Sequence, residues 1–143
     1  MNVGIDTYFN PITMVDNQAH TMAEKNHTWT FYTVVSTHVI SGTGFMPSYG
    51  LMFEREDGFR VYMPTDSQIM APPQLETFYK KANVVYQDCE TGFRSGVHAH
   101  IDDLKKLNSD IKSKLYLYHF DKEPEVTSGE FKGVLQAGDV HEY

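Results

Sequence analysis

The pattern of apolar and polar residues predicts strands in the first part of the chain. Residues 28–39 ("TWTFYTVVSTHV") are β-branched and aromatic with partial alternation, which predicts a strand that ends at His38. Residues 51–65 predict a hairpin around Glu56-Asp57-Gly58, because Asp-Gly suits a tight reversing turn. Between them, residues 41–50 are rich in Gly, Ser and Pro, which predicts a loop.

Predicted helices and predicted strands alternate in the rest of the chain. Residues 74–82 have apolar side chains at helical spacing, and residues 83–90 predict a short strand. Apolar residues spaced by three, three and four then predict an amphipathic helix over 99–114, which Asn108-Ser109-Asp110 can divide: Ile101, Leu104, Leu107 and Ile111. Residues 114–120 predict a strand, and residues 131–143 predict the last strand followed by a tail. The order of these elements is that of a mixed α/β domain.

Length and composition define the class of protein. The 143 residues suit one domain, with an irregular segment over 1–27 and the folded part over 28–143. A net charge of −7 argues against a general nucleic-acid-coating role. No apolar run is long enough for a membrane span and no signal peptide is evident, so we expect a cytoplasmic protein without a membrane partner. The single cysteine, Cys89, suits a reducing compartment.

Candidate metal ligands stand at or after the ends of predicted strands. His38 closes the first strand, Asp66 follows the hairpin, His98 follows the strand over 83–90 after a loop, and His119 closes the strand over 114–120. Open α/β sheets gather functional groups at the carboxyl ends of their strands. Imidazole and carboxylate together suit zinc, manganese or iron(II).

The order of six segments resembles that of a known family. The segments are "TFYTVVSTHV", "SYGLMFE", "GFRVYMPTDSQ", "KANVVYQDCET", "SGVHAHIDDLKKL" and "KLYLYHF". From about Phe31 to Tyr143 the chain resembles the C-terminal half of a metallo-β-lactamase-fold phosphodiesterase. That group contains the tRNA 3′-processing endonuclease and the cyclic-nucleotide phosphodiesterases. The resemblance implies half of the four-layer αββα sandwich, a mixed sheet with helices on one face.

The resemblance also implies a role for five residues. His38 would bind one metal, His119 the other, and Asp66 would bridge both, with zinc or manganese as the divalent cation. His98 resembles the family histidine that acts as a general acid or phosphate contact at the leaving group. Asp88 occupies the place of a family Glu that steadies this histidine. The implied chemistry is metal-assisted hydrolysis of a phosphodiester substrate.

The segment "HAHIDD" (98–103) matches five of the six positions of H-x-H-x-D-H, the metal-ligand loop of the same family. In the family, the other metal ligands follow that loop after far more residues than the forty or so that remain here. We therefore interpret the match as a coincidence at the start of a helix. His98 keeps its role, whereas His100, Asp102 and Asp103 belong to the first turn, where the helix dipole favours acidic side chains.

Without a genuine H-x-H-x-D-H loop, each metal lacks two of its protein ligands, and zinc normally has three or four. Three hypotheses follow. The chain is half of a split hydrolase that a complementary chain completes, it is an inactive relative that serves as a structural or binding module, or it is an unrelated α/β domain. In the first case a partner or a homo-oligomer would cover the exposed sheet. We expect the chain alone to be a weak catalyst or none.

Overall fold

A computed structural model describes residues 13–15, 18–24, 26–42, 44–69 and 75–143 of the protein. Within these ranges, seven strands form one sheet, in which each strand pairs with the next one along the chain. They are β1 (His20–Glu24), β2 (His27–Ser41), β3 (Gly44–Arg55), β4 (Arg60–Thr65), β5 (Val84–Asp88), β6 (Leu115–Tyr118) and β7 (Gly133–Val134). The pairs from β1 to β4 are antiparallel and those from β4 to β7 are parallel. The predicted α/β class with a mixed sheet is confirmed.

The long β2–β3 hairpin differs from the prediction. Residues 41–50, predicted as a loop, belong mostly to β3, which begins at Gly44. Its proline is tolerated there because Pro47 pairs with Thr37, at the edge of a register shift in β2. The prediction of an irregular segment over 1–27 was also wrong in part, because β1 pairs with β2 from His20 onwards.

The predicted reversal at Glu56-Asp57-Gly58 is confirmed and joins β3 to β4. Gly58 has a φ of 88°, a conformation that glycine adopts without steric cost. The Asp57 carboxylate accepts hydrogen bonds from the Arg55 guanidinium at 2.7 Å and from the Phe59 N–H at 3.0 Å. Local hydrogen bonds therefore fix the turn and the register of the two strands that lead to Asp66.

The helices are shorter than predicted. The segment over 74–82 contains a single π-helical turn, Leu75–Tyr79. The stripe over 99–114 forms two short helices, α1 (Ile101–Leu104) and α2 (Ser109–Lys112), divided at the predicted position. Within the described ranges, no helix has the length and apolar character that a bilayer crossing needs.

The two faces of the sheet are covered differently. One face packs against the helical turns and forms the core, in which the largest fully buried residues are Tyr62, Tyr79, Met52, Leu104, Leu115 and Leu117. On the other face, Phe31, Phe53, Val61 and Val84 lie in register across four strands. Phe31 and Phe53 are only half-buried and their ring centroids are 5.7 Å apart. We call this the second face.

Candidate metal centre

The parallel strands bring three candidate residues to one edge of the sheet. Asp66 directly follows β4, Asp88 ends β5, and His119 directly follows β6. His98 joins them from the loop after β5, and the ligand atoms of the four side chains lie within 4.8 Å of one another. The rest of the described chain holds no other group of three or more metal-ligating side chains at this spacing. The structure therefore assembles Asp66, Asp88, His98 and His119 into one site, which we call the metal-ligating group.

A buried carboxylate holds His98 in place. Nδ1 of His98 lies 2.7 Å from Oδ2 of Asp88, whose side chain is fully buried, whereas His98 is 25% exposed. The same Asp88 oxygen accepts the Ser67 backbone N–H at 3.2 Å. Burial raises the pKa of Asp88 to about 6, although its hydrogen bonds with His98 and Ser67 lower it. Because an ionised Asp88 can only accept, His98 donates from Nδ1 and presents Nε2 outwards.

Gln87 supports the same carboxylate from within the core. Its Nε2 donates to Oδ1 of Asp88 at 2.7 Å, and its Oε1 accepts the Tyr79 hydroxyl at 2.5 Å. All three residues are fully buried, or nearly so. Gln87 thus satisfies the second oxygen of Asp88.

Asp66 and His119 form the more accessible part of the site. Nδ1 of His119 lies 3.3 Å from Oδ1 of Asp66, and both side chains are about half exposed, at 53% and 52%. Thr65 and His119 have φ values of 61° and 58°, which are rare for residues with a Cβ and cost roughly 1–3 kcal/mol each. Thr65 is the last residue of β4 and directly precedes Asp66, and His119 directly follows β6. Both unusual conformations therefore lie where a strand ends beside the site.

His38 lies at a bulge beside His98 and is not one of the four gathered side chains. The prediction that the first strand ends at His38 was wrong, because residues 39–41 continue β2 opposite β3. His38 lies instead where the register shifts between Thr37 and Val39, and bulges commonly redirect a side chain beside a functional site. Its ring centroid is 5.7 Å from that of His98. Its Nδ1 is buried and has no hydrogen-bond partner among the described residues.

Gln68 links the bulge to the loop that carries His98. Its side-chain amide donates to the backbone oxygen of His38 at 3.2 Å and also to that of Gly96. Its own N–H donates to the Thr37 carbonyl at 2.9 Å. The sequence did not single out Gln68 or Ser67. The signal available was their position directly after Asp66, in the loop where a parallel strand ends.

The donor set suits a divalent cation. Asp88 is fully engaged with His98, Ser67 and Gln87, so it orients other groups rather than binding a metal. Asp66 and His119 are the accessible side chains left to bind one. His38, whose buried Nδ1 has no described partner, lies outside the group of four. Imidazole and carboxylate ligands suit zinc or manganese, and these residues fit part of such a site. They supply fewer than the three or four ligands that each of two ions needs.

The rest of the "HAHIDD" segment lies outside this group. His100 precedes α1, and its Nδ1 accepts the Asp102 N–H at 3.2 Å. Asp102 and Asp103 stand on the first turn, where both contact the Arg94 guanidinium. These contacts satisfy the polar groups of His100, Asp102 and Asp103 with neighbours close in the sequence, as expected of a helix start.

The fold is similar to those of two solved metallo-β-lactamase-fold hydrolases. A new diphosphatase from the PhnP family superposes with a TM-score of 0.51 at 14% identity, over 81% of this chain and 41% of its own. An isothiocyanate hydrolase from Delia radicum gut bacteria gives a TM-score of 0.56 at 17% identity, over 81% of this chain and 48% of its own. The chain thus spans less than half the length of these structures, and the likeness shows a metallo-β-lactamase-like fold.

A match to a family model shows which family the chain belongs to. The model of the family described as "Anti-Pycsar protein Apyc1" matches residues 2–140. A search of curated proteins gave no match. Because the family match includes nearly the whole chain, this protein belongs to the anti-Pycsar protein Apyc1 family.

Proposed function

We propose that this chain carries part of a metal-dependent phosphodiesterase site that a partner chain completes. The observation that carries the proposal is the buried Asp88–His98 pair, at 2.7 Å, beside the accessible side chains of Asp66 and His119. An oriented imidazole next to metal-ligating groups suits hydrolysis with acid catalysis at the leaving group. The similarity of the fold to metal-dependent hydrolases supports this reaction class.

Each residue of the site has a defined role in this reaction. His38, Asp66 and His119 would hold the cation, which when bound supplies Lewis-acid stabilisation of charge on the phosphoryl oxygens. Asp88 holds the Nδ1–H of His98, so that Nε2 faces the substrate. As water forms a new bond to phosphorus and the ester P–O bond breaks, Nε2 gives its proton to the leaving oxygen. The water keeps its oxygen and one hydrogen on phosphorus as a hydroxyl group, and its other proton passes to solvent, from which Nε2 of His98 is protonated again.

We propose cyclic nucleotides as the substrate class. Membership of the anti-Pycsar protein Apyc1 family fits a branch of these hydrolases that degrades cyclic nucleotides. A cyclic nucleotide contains an internal phosphodiester whose leaving oxygen remains on the ribose. That oxygen needs a proton on departure, which matches the position of His98 beside the metal-ligating groups.

The second face of the sheet is the surface where we expect the partner. It carries an apolar stripe that the helices do not cover, in which Phe31 and Phe53 are half-buried and Val61 and Val84 are already buried within the chain. Apolar stripes of this kind mark surfaces that pack against another protein. The partner is a complementary chain or a second copy of this one, and it would bring the missing metal ligands.

The test is hydrolysis of bis(p-nitrophenyl) phosphate and of 3′,5′-cyclic nucleotides with added Mn²⁺ or Zn²⁺. If a second copy completes the site, the rate per chain rises with protein concentration, in parallel with association measured by sedimentation. We expect His98→Ala to lower the rate by roughly 10²- to 10⁴-fold. His27→Ala is the matched control, because His27 is exposed, lies 3.4 Å from the Glu56 carboxylate in the turn and is not part of the metal-ligating group. No turnover in a self-associated protein with bound metal would contradict completion by a second copy.

A second candidate function is that of an inactive structural or binding module. The incomplete ligand set favours it, because the described chain contains one metal-ligating group and no H-x-H-x-D-H loop. An inactive module has no need for bound metal or for the Asp88–His98 pair. A chain that binds no Mn²⁺ or Zn²⁺ and hydrolyses neither substrate, but folds normally, would favour this alternative.

A further inference from the structure

A cleft lies beside His98, between the loop over 92–98 and the end of α1. It has a volume of about 580 Å³, within the range of roughly 300–1,000 Å³ that is usual for small-molecule sites. His98 lines it, whereas Asp66 and His119 do not. The cleft therefore adjoins the metal-ligating group without containing its accessible donors, and the hydrolytic reaction described above leaves its role open.

The wall of the cleft is apolar in part and well supported. Ile69, Ala99 and Leu107 line it. Ala99 is 2% exposed and belongs to the hydrophobic core, against which Ile69 and Leu107 pack. Because these side chains are held by the core, they form a preformed apolar surface rather than one that must be ordered by a ligand.

The charged groups at the cleft balance one another. Two carboxylates, Glu90 and Asp103, face two cations, Arg94 and Lys106. Both Glu90 oxygens accept the Ser95 N–H, at 3.1 and 3.0 Å, and Asp103 accepts from Lys106 at 2.8 Å and from Arg94. A cleft without excess positive charge is poorly suited to a phosphate group. It suits an uncharged group that is largely apolar.

Arg94 presents a fixed planar surface at this cleft. Its guanidinium contacts Asp103 through Nη1 and Asp102 through Nη2, at 3.3 Å in the second case. Arg94 and then Lys106 lower the pKa of Asp103 to about 2, so the ion pair persists at neutral pH. A guanidinium whose edge is occupied by two carboxylates still offers its flat face, on which aromatic rings stack.

We infer that this cleft receives the base of a nucleotide substrate, with Arg94 as the stacking surface and Ile69 and Leu107 as the apolar wall. The inference rests on the proposed function for the position of the phosphodiester at His98. Because His98 lines the cleft and belongs to the metal-ligating group, a phosphodiester at that group places the attached nucleoside next to the cleft. The cleft is then the part of the site that distinguishes one nucleotide from another.

The test uses nucleosides as probes, because they lack phosphate and need no metal. Adenosine and uridine are titrated into the ¹⁵N-labelled chain, and the amide signals of residues 94–99 and 107 are followed by NMR. We expect these signals to shift and to saturate. Leu107→Trp, which fills the cleft, should weaken binding about tenfold or more, a loss of about 1.4 kcal/mol per tenfold change. Lys81→Trp adds the same bulk at an exposed position outside the cleft and should leave binding unchanged.

A second variant separates stacking from charge. Arg94→Lys keeps the positive charge beside Asp102 and Asp103 but removes the planar surface, so we expect severalfold weaker nucleoside binding in a chain that still folds normally. This variant also covers the case in which Leu107→Trp fails to fold. Equal binding by Arg94→Lys and the wild type would overturn the role of Arg94 as a stacking surface.

The nucleoside titration and the hydrolysis assay can succeed or fail independently of each other. If nucleosides shift no signal at the cleft, or bind equally to Leu107→Trp and to the wild type, the inference is overturned. The hydrolysis of bis(p-nitrophenyl) phosphate, which has no base, can still succeed in that case. If that hydrolysis fails while nucleosides saturate the cleft, the proposed reaction is overturned and the cleft stands as a nucleoside site.

Discussion

Two groups of histidine and aspartate stand close together in this chain but are built in different ways. The metal-ligating group takes Asp66, Asp88, His98 and His119 from loops and strand ends that are far apart in the sequence. The helix-start group takes His100, Asp102, Asp103 and Arg94 from one short stretch around the beginning of α1. Both contain the residue types of a metal site, and the match to H-x-H-x-D-H is shared between them, with His98 in the metal-ligating group and His100 and Asp102 in the helix-start group.

The difference lies in which polar atoms remain available. In the helix-start group the side chains bind each other and the first turn of α1, so few lone pairs are left for a ligand. In the metal-ligating group one residue, Asp88, is saturated, whereas Asp66 and His119 are accessible and His38 nearby has a buried nitrogen without a described partner. Available donors gathered by the fold indicate a site more reliably than spacing along the chain.

The largest effect should come from removing a donor of the metal-ligating group. We expect Asp66→Ala and His119→Ala to abolish binding of Zn²⁺ or Mn²⁺, a loss greater than the roughly 10- to 100-fold that is typical when a residue only orients a ligand. The measurement is metal content per chain by elemental analysis, on untagged protein purified without chelator.

The same measurement on the helix-start group gives the control. His100→Ala and Asp103→Ala should leave the metal content unchanged, because neither side chain belongs to the group of donors. Metal lost from these variants and kept by Asp66→Ala would reverse the comparison and would make "HAHIDD" the ligand segment.

A large loss of stability is expected at Gln87, which supports the site from within the core. Gln87→Leu leaves Oδ1 of Asp88 and the Tyr79 hydroxyl without their partner, and each buried unsatisfied group costs roughly 1–3 kcal/mol. Urea unfolding measures the change in the free energy of unfolding. Adding Tyr79→Phe to Gln87→Leu should recover part of the loss, since it removes one of the two orphaned groups. A double variant no more stable than Gln87→Leu would contradict this assignment.

A smaller change is expected at the start of α1. His100 accepts the Asp102 N–H at 3.2 Å, and losing a cap of this kind costs typically about 1 kcal/mol. We therefore expect His100→Ala to lower the urea midpoint slightly, whereas His100→Asn retains a capping oxygen and should restore it. Equal midpoints for the two variants would show that His100 does not stabilise the helix through its side chain.

The smallest effect concerns the pH dependence of the Arg94–Asp103 pair. Arg94 lowers the pKa of Asp103 to about 2, against about 4 in an unfolded chain. The ionised carboxylate is thus favoured in the folded protein, and its contribution is present above pH 4 and disappears as the pH falls through 2. Asp103 is 37% exposed, so solvent screening keeps this contribution below about 1 kcal/mol.

The check compares wild type and Asp103→Asn by urea unfolding at pH 6 and at pH 2.5. The wild type should be slightly more stable at pH 6, and the difference should shrink at pH 2.5. A difference of the same size at both values would mean that Asp103 acts through packing or hydrogen bonding rather than through its charge.

Several elements were predictable because their cause is local. The turn at Gly58, the strand β5 and the division of the helix near Asn108 follow from turn chemistry and from short apolar periods. The start of β3 was missed because its Gly and Pro residues favour a loop when read alone. Pairing with β2 over the whole length of the hairpin overrides that preference. β1 was missed for the same reason, since its polar residues gain their structure from β2.

The sequence by itself determined the mixed α/β class, the residues that lie at the ends of the parallel strands, and the local character of the "HAHIDD" segment. These depend on side-chain period and on neighbours along the chain. Only the tertiary structure decided that a bulge in β2 places His38 beside His98, that Gln87 supports Asp88, and that Arg94 borders a cleft beside His98. These features depend on hydrogen bonds and contacts between elements that are distant in sequence, and no local pattern encodes which partner a polar atom will find.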